Sequence, residues 1–214
     1  MSESLTRQSS PRHGNFGITA YTCILVSVLS LVLGALTAWA QKVLPYELFS
    51  FANSANGWLL LMVALLVWVR AEVRLAAVLG SVSGVLLMLG YTAGRTLYYG
   101  ETYDPWLWTL AAALAGPFIG VATAWLRAGG IRAALGTAAL AGVTIGEAIY
   151  GVRYVGESTS PVYWVLSGVA GVAFLVGMML LRLPSWRAAL IAVVATAAVI
   201  VVFIPVYGTV GTYA

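Results

Sequence analysis

Long apolar segments separated by short polar turns run through almost the whole sequence. Each turn contains charged residues, Pro or Gly, which are typical of the ends of helices. At about 1.5 Å per residue, a helix of about 20 residues crosses the roughly 30 Å hydrocarbon layer of a membrane. The pattern therefore predicts an all-α polytopic bundle of seven transmembrane helices. Their predicted segments are Phe16–Ala40, a second helix that ends at Val69, Leu75–Tyr99, Pro105–Leu126, Arg132–Gly156, Pro161–Leu181 and Ala188–Tyr207.

The second segment is unusual because its uninterrupted apolar run, Trp58–Val69, contains only 12 residues. A helix of that length would extend about 18 Å, which is too short to cross a bilayer. We therefore expect the helix to begin before Trp58. This places Asn53, Ser54 and Asn56 at membrane depth.

The composition agrees with a membrane protein. Apolar residues make up 61% of the 214 residues and charged residues only 8%, compared with about 25% charged in soluble domains. Residues 1–15 are polar and are expected to form a disordered cytoplasmic tail, with residues 16–214 forming a single transmembrane domain. Cys23 is the only cysteine and lies in the first apolar segment, so it cannot form an internal disulfide.

The positions of Lys and Arg predict the orientation, because cytoplasmic loops are enriched in these residues. With a cytoplasmic N-terminus and an external C-terminus, only Lys42, Arg95 and Arg153 lie toward the outside. The basic residues expected inside are Arg7, Arg12, Arg70, Arg74, Arg127, Arg132, Arg182 and Arg187. They recur at segment ends and form no single stripe, so they indicate topology and no nucleic-acid partner. We expect a multi-pass protein of a bacterial cell membrane.

Two helical hairpins are related by a constant offset of 56 residues. The matching pairs are Gly80 with Gly136, Tyr98 with Tyr154, Gly100-Glu101 with Gly156-Glu157, Pro105 with Pro161 and Trp108 with Trp164. Their agreement predicts a duplicated hairpin whose two copies have the same orientation, unlike the inverted repeats of many transporters. Glu147 aligns with Tyr91, so only one copy has the carboxyl group.

Glu147 is the candidate for chemistry because it is an acidic residue well inside a predicted span. It lies about 22 Å from Arg132 along the helix, where a solvated surface charge is not possible. Tyr150 and Tyr154 follow on the same helix face. An ionisable residue at this depth indicates a functional site, with the alternative that a neutral Glu147 only packs against a neighbouring helix by hydrogen bonds.

Other polar and aromatic residues are predicted at a similar depth or nearer the outer surface, where they would line a pocket. The candidates for substrate binding are Asn53, Asn56, Trp58, Tyr91, Tyr98, Trp108, Tyr150, Tyr154 and Trp164. Arg95 and Arg153 are predicted near the outer boundary of the membrane. Their side chains would either form ion pairs or extend to the membrane interface, or they would form a lid over the pocket. One His and one Cys cannot form a zinc site, and no glycine-rich nucleotide motif is present, so no metal and no cofactor is expected.

An embedded Glu surrounded by aromatic side chains, in a chain of this length with seven helices, resembles the small integral-membrane terpene cyclases of bacterial and fungal meroterpenoid pathways. That family includes bacterial enzymes that cyclise the prenyl chain of prenylated indole diketopiperazines. A second resemblance is to an uncharacterised bacterial membrane family. It rests on Leu44-Pro45, Ala52-Asn53-Ser54, Trp58, Gly116-Pro117 and Gly146-Glu147.

The first resemblance implies a metal-independent cyclase of the lyase or isomerase type, acting on a lipophilic prenylated molecule. Glu147 would be the general acid that protonates an alkene or epoxide, and aromatic rings would stabilise the resulting carbocations. Two alternatives remain at this point. The protein could be a binding or transport subunit for a small lipophilic molecule, or a structural partner in a larger complex.

Overall fold

The computed structural model describes residues 13–213, with side chains from residue 19 to residue 212. This part of the chain contains seven α-helices, a short 3-10 helix, a π-helical turn and no strand. The α-helices are α1 (His13–Val43), α2 (Ala55–Val69), α3 (Val73–Tyr99), α4 (Trp106–Trp125), α5 (Gly130–Tyr150), α6 (Pro161–Leu181) and α7 (Trp186–Tyr213). The 3-10 helix, Phe49–Asn53, precedes α2, and the π-helical turn, Gly151–Val155, follows α5.

The boundaries differ from the sequence prediction at several points. Helix α1 includes residues 13–15, which were predicted as part of a disordered tail; residues 1–12 of that tail lie outside the described residues. Helix α7 extends further in both directions than Ala188–Tyr207. The predicted fifth helix, Arg132–Gly156, is divided between α5 and the π-helical turn.

In the described part of the chain, six helices are long and apolar enough to cross a membrane, and α2 is the shorter exception. It has 15 residues and extends about 22 Å. It begins before Trp58, as predicted, but by only three residues, because Ser54 adopts an extended conformation and its hydroxyl accepts a hydrogen bond from the Gly57 N–H at 3.0 Å. Ser54 is therefore an N-cap, and the chain before it continues as the 3-10 helix.

The long helices form two groups with α2 between them. Helix α3 packs against α1 and α4, and α5 packs against α6 and α7, while α2 contacts α3, α4 and α5. The two groups also meet directly where α4 contacts α5 and α7. The N-terminal end of α2 is consequently surrounded by helices.

Small residues bring α3 and α4 into close contact. A Cβ atom added at Gly80 would lie 2.1 Å from the Gly116 carbonyl oxygen, and one added at Gly120 would lie 1.9 Å from the Ala76 carbonyl oxygen. Only glycine permits this backbone approach, and small residues at helix contacts are typical of membrane proteins. These glycines therefore serve the packing of α3 against α4.

Helix α4 contains Pro117, which has no N–H to donate to the carbonyl of Ala113 one turn earlier. The Ser81 hydroxyl of α3 donates a hydrogen bond to that carbonyl at 2.9 Å. A neighbouring helix thus satisfies a backbone group that would otherwise have no partner in a lipid environment.

Candidate functional site

Glu147 lies in the last turn of α5, and its side chain is completely buried, with 0% exposure. Its two carboxyl oxygens accept hydrogen bonds from the first two backbone N–H groups of α2. The Ala55 N–H donates to Oε1 at 2.7 Å, and the Asn56 N–H donates to Oε2 at 2.6 Å. The side chain of one helix therefore caps the start of another, and the acid interacts favourably with the positive end of the α2 dipole.

Further polar side chains connect the same end of α2 to α5 and α6. The Asn56 side chain donates to the Ser167 hydroxyl at 2.6 Å and accepts from the Thr144 hydroxyl at 2.8 Å. The Ser54 hydroxyl forms a 2.6 Å hydrogen bond with the Tyr163 hydroxyl, and both side chains are buried. Such a network fixes the position of α2 because each of these buried polar groups would lose its partner if α2 moved.

A cluster of aromatic rings begins next to the Glu147 carboxyl group on the α7 side. The Tyr207 hydroxyl lies within hydrogen-bonding reach of that carboxyl. The Tyr207 ring is stacked on Phe203, with centroids 5.0 Å apart, and contacts Tyr150 edge-on at 5.1 Å and Trp108 at 5.5 Å. The Glu147 carboxyl group thus lies next to Tyr207, which belongs to a cluster of four aromatic residues.

A cavity of about 180 Å³ lies beside this cluster. It is bounded by the 3-10 helix before α2, the end of α5 with its π-helical turn, the start of α6 and Tyr207 of α7. Its lining residues are Phe49, Ser50, Asn53, Tyr150, Val155, Ser158, Thr159, Trp164 and Tyr207. Four of these are aromatic, four have hydroxyl or amide groups besides Tyr, and none is charged.

The π-helical turn shapes one wall of the cavity. Gly151, its first residue, is buried against Trp164, and an added Cβ atom would lie 2.0 Å from the indole ring. The Trp164 indole N–H donates to the Thr159 hydroxyl at 2.8 Å, so the ring is held between α5 and the turn before α6. π-Helical turns are frequently found at functional sites.

A second aromatic group lies on the α1–α3 side of the bundle, apart from the cavity lining. The Tyr91 ring is 5.4 Å from Trp58 and 5.5 Å from Tyr103, and its hydroxyl donates to the Gln41 side chain at 3.1 Å. Tyr98 packs against the same group, as does Trp108, which therefore connects it with Tyr207. Tyr103 lies in the turn between α3 and α4, and burial raises the pKa of its hydroxyl.

Arg95 and Arg153 have different surroundings. Arg95 forms an ion pair with Glu101, and its guanidinium lies over the Tyr99 ring at 4.5 Å. Arg153 is exposed at one end of an open groove of about 330 Å³, lined by α5 and α6, that is otherwise apolar. The two arginines thus lie against different surfaces.

The structure divides the predicted site residues into groups. Glu147 and Asn56 are joined through the start of α2, and Asn53, Tyr150 and Trp164 line the cavity. Tyr154 is 62% exposed, although its ring contacts Tyr150 at 5.1 Å. The remaining candidates, Trp58, Tyr91, Tyr98 and Trp108, form the second aromatic group.

Sequence reasoning missed three residues that matter to the geometry around Glu147. Tyr207 was not predicted as a neighbour of Glu147, and Tyr163 and Ser167 were not predicted as polar partners of α2. A signal for Tyr207 existed, because it is a hydroxyl-bearing side chain two residues after Pro205 in a largely apolar helix. The pairings themselves had no local signal, because they join residues about 60 to 110 positions apart.

These features define a multi-pass helical membrane protein with a buried carboxyl group at the start of a short helix. The chain belongs to the family of unknown function DUF6518, whose model matches residues 16–212. The predicted resemblance to an uncharacterised membrane family agrees with this membership. No curated protein and no solved structure matches the chain.

Proposed function

We propose that the protein is a membrane-embedded binding protein or carrier for a small molecule that occupies the cavity beside α2. The observation that supports this best is the start of α2: a helix too short to cross the membrane begins inside the bundle, next to the cavity, and is capped by Glu147. In many transporters, helices that are interrupted at membrane depth form the substrate site. Polar side chains of the cavity, such as Asn53 and Ser50, would orient the ligand.

The geometry of Glu147 favours binding over catalysis. A general acid must present its proton to the substrate, whereas both Glu147 oxygens accept hydrogen bonds from α2, and Glu147 is not part of the cavity lining. The cavity of about 180 Å³ is also smaller than the roughly 300–1,000 Å³ of typical ligand pockets. A compact ligand fits this volume better than a prenylated polycyclic substrate.

A terpene cyclase is the second candidate, favoured by the cluster of four aromatic rings that begins with Tyr207 next to the carboxyl group. Trp108, Tyr150, Phe203 and Tyr207 present the type of surface that stabilises positive charge. In this function Glu147 would lose its hydrogen bonds to the N–H groups of α2 and protonate a prenyl chain near Tyr207. The substrate would enter as a lipophilic molecule from the bilayer.

Ligand recovery tests the cavity as a binding site. Purified protein in lipid nanodiscs is incubated with a lipid extract of its native membranes and repurified, and bound compounds are identified by chromatography and mass spectrometry. Gly151→Leu should abolish recovery of the bound compound, because its side chain displaces Trp164 from the cavity wall. Gly177→Leu is the matched control, because a Cβ at Gly177 meets nothing within 4 Å.

The same experiment separates the two candidates. A carrier returns its ligand chemically unchanged, whereas a cyclase returns an isomer with the same mass and a different retention time. A prenylated indole serves as the probe for cyclisation. Equal recovery from wild type and Gly151→Leu would mean that the cavity is not the binding site.

We further propose that the protein spans the membrane seven times from an internal N-terminus, with α2 and the 3-10 helix together forming the second crossing. The Arg127 side chain, in the α4–α5 turn, donates a hydrogen bond to the Ala71 carbonyl, in the α2–α3 turn, at 2.5 Å. This contact supports a topology in which both turns lie on the same side of the membrane. In a Cys23→Ser background, a Cys at Thr102 should react with an impermeant thiol reagent on intact cells, and a Cys at Ala128 should not. The reverse labelling would refute this orientation.

The duplicated hairpin also remains a proposal, and the helix boundaries support it. Moved by 56 residues, α3 and α4 superimpose in sequence on α5 with its π-helical turn and on α6, within one residue at every end. Tyr91 and Glu147 then hold equivalent positions, and each forms a hydrogen bond with the end of another helix. Tyr91 bonds to Gln41 near the end of α1, and Glu147 bonds to the start of α2, near Tyr207 of α7. The carboxyl group is accordingly the specialised member of the pair.

A further inference from the structure

The charge around Glu147 is not balanced by a basic side chain. Among the side chains described, from residue 19 to residue 212, the one ion pair joins Arg95 and Glu101, so Glu147 has no Lys or Arg partner there. Its donors are the backbone N–H groups of Ala55 and Asn56, which are neutral. Each carboxyl oxygen accepts one of these N–H groups, which is the arrangement that an ionised carboxylate accepts.

The start of α2 compensates this charge only in part. A helix N-terminus is equivalent to about half a positive charge, which leaves roughly half a negative charge on a fully buried side chain. The interaction of that charge with a nearby cation is strong because the surroundings have a low dielectric constant. The cavity is the open space next to it, separated from the carboxylate by the Tyr207 side chain.

The cavity wall has the chemistry that recognises a cation. Phe49, Tyr150, Trp164 and Tyr207 contribute aromatic rings, whose faces carry partial negative charge, and no Lys or Arg is part of the lining. Asn53 and Ser50 add oxygen atoms that can accept hydrogen bonds from an ammonium group or a hydroxyl. An anion would find no charged partner in this cavity and would be repelled by Glu147.

We propose that the ligand of this cavity is a small organic cation with a methylated or protonated ammonium group. The inference rests on the proposed binding function and specifies the class of molecule bound. Aromatic faces contact the ammonium group, and the Glu147 carboxylate behind Tyr207 supplies the counter-charge. Glu147 thus has two roles, as the cap of α2 and as the source of the negative potential in the cavity.

A pair of probes that differ only in charge tests the inference. Choline and its neutral isostere 3,3-dimethylbutan-1-ol have almost the same shape, and binding of each to the full chain in nanodiscs is measured by isothermal titration calorimetry. We expect choline to bind at least about tenfold more tightly than the alcohol, the factor that corresponds to 1.4 kcal/mol. Binding of choline should weaken as salt is replaced by tetramethylammonium chloride, which competes for the same site.

Substitutions of Tyr150 locate the effect. Tyr150→Leu should weaken choline binding by about 2- to 30-fold, the range expected from the loss of one cation–π contact, whereas Tyr150→Phe should retain it and report correct folding. Tyr46→Leu is the control, because Tyr46 is exposed and not part of the cavity. Unchanged choline binding in Tyr150→Leu would overturn the inference.

The outcome also separates this inference from the proposed function. If the alcohol binds as well as choline, or if a neutral compound is recovered from the cavity, the binding function stands and the cationic ligand is refuted. If neither probe binds and Gly151→Leu does not change recovery of any compound, the binding function itself fails, and the inference fails with it.

Discussion

Glu147→Ala is expected to be among the most destabilising substitutions in the chain. It leaves the N–H groups of Ala55 and Asn56 without partners inside the bundle, and each such buried donor costs about 1–3 kcal/mol. It also removes the charge that interacts with the α2 dipole. We expect a clearly lower unfolding temperature in detergent, measured by circular dichroism, and loss of ligand from the cavity as the start of α2 shifts.

Glu147→Gln distinguishes a cap from a general acid. A glutamine has one acceptor and one NH₂ donor, so one of the two α2 N–H groups would face another donor, and the stability should fall by about 1–3 kcal/mol. A general acid predicts instead that Glu147→Gln folds with wild-type stability and has no turnover. Glu157→Gln is the matched control, because Glu157 is exposed in the turn before α6. Wild-type unfolding temperatures for both Glu147 variants would refute the capping role.

Part of this site could be predicted from the sequence. Glu147 was identified because it is an acidic residue about 22 Å along a predicted span, and Asn56 because the apolar run after it is too short to cross a membrane. Burial of Glu147 and its direct connection with the Asn56 backbone agree with both arguments. Sequence thus predicts the depth of a residue, because depth depends only on its position along a helix.

The partners of these residues could not be predicted, because the rotation of each helix is determined by tertiary packing. Tyr91 and Glu147 were placed in one layer, yet the rings around them belong to different groups. The break before α2 had a local signal, since Ser54 is a good N-cap residue, but a continuous helix was also consistent with the sequence. The π-helical turn at Gly151 had none, because the Trp164 ring against which Gly151 packs belongs to another helix.

The second large effect on stability is expected at the contact between α3 and α4, where a substitution that adds only one methyl group should be destabilising. Gly120→Ala would place a Cβ atom 1.9 Å from the Ala76 carbonyl oxygen, a backbone atom that cannot move without the helix. The two helices must separate by more than an ångström, and the neighbouring contact between Gly80 and Gly116 is lost with them. We expect a loss of about 1–3 kcal/mol or more, as for other overpacked interiors.

The matched variant Gly177→Ala should have the opposite effect, which makes the comparison informative. In a helix, alanine is favoured over glycine by about 0.5–1 kcal/mol, and a Cβ at Gly177 of α6 meets nothing within 4 Å. Thermal unfolding should therefore shift downward for Gly120→Ala and slightly upward for Gly177→Ala. If both variants were stabilised, the close approach of α3 and α4 would be refuted, and with it the packing that brings Tyr91 of α3 and Trp108 of α4 into one aromatic group.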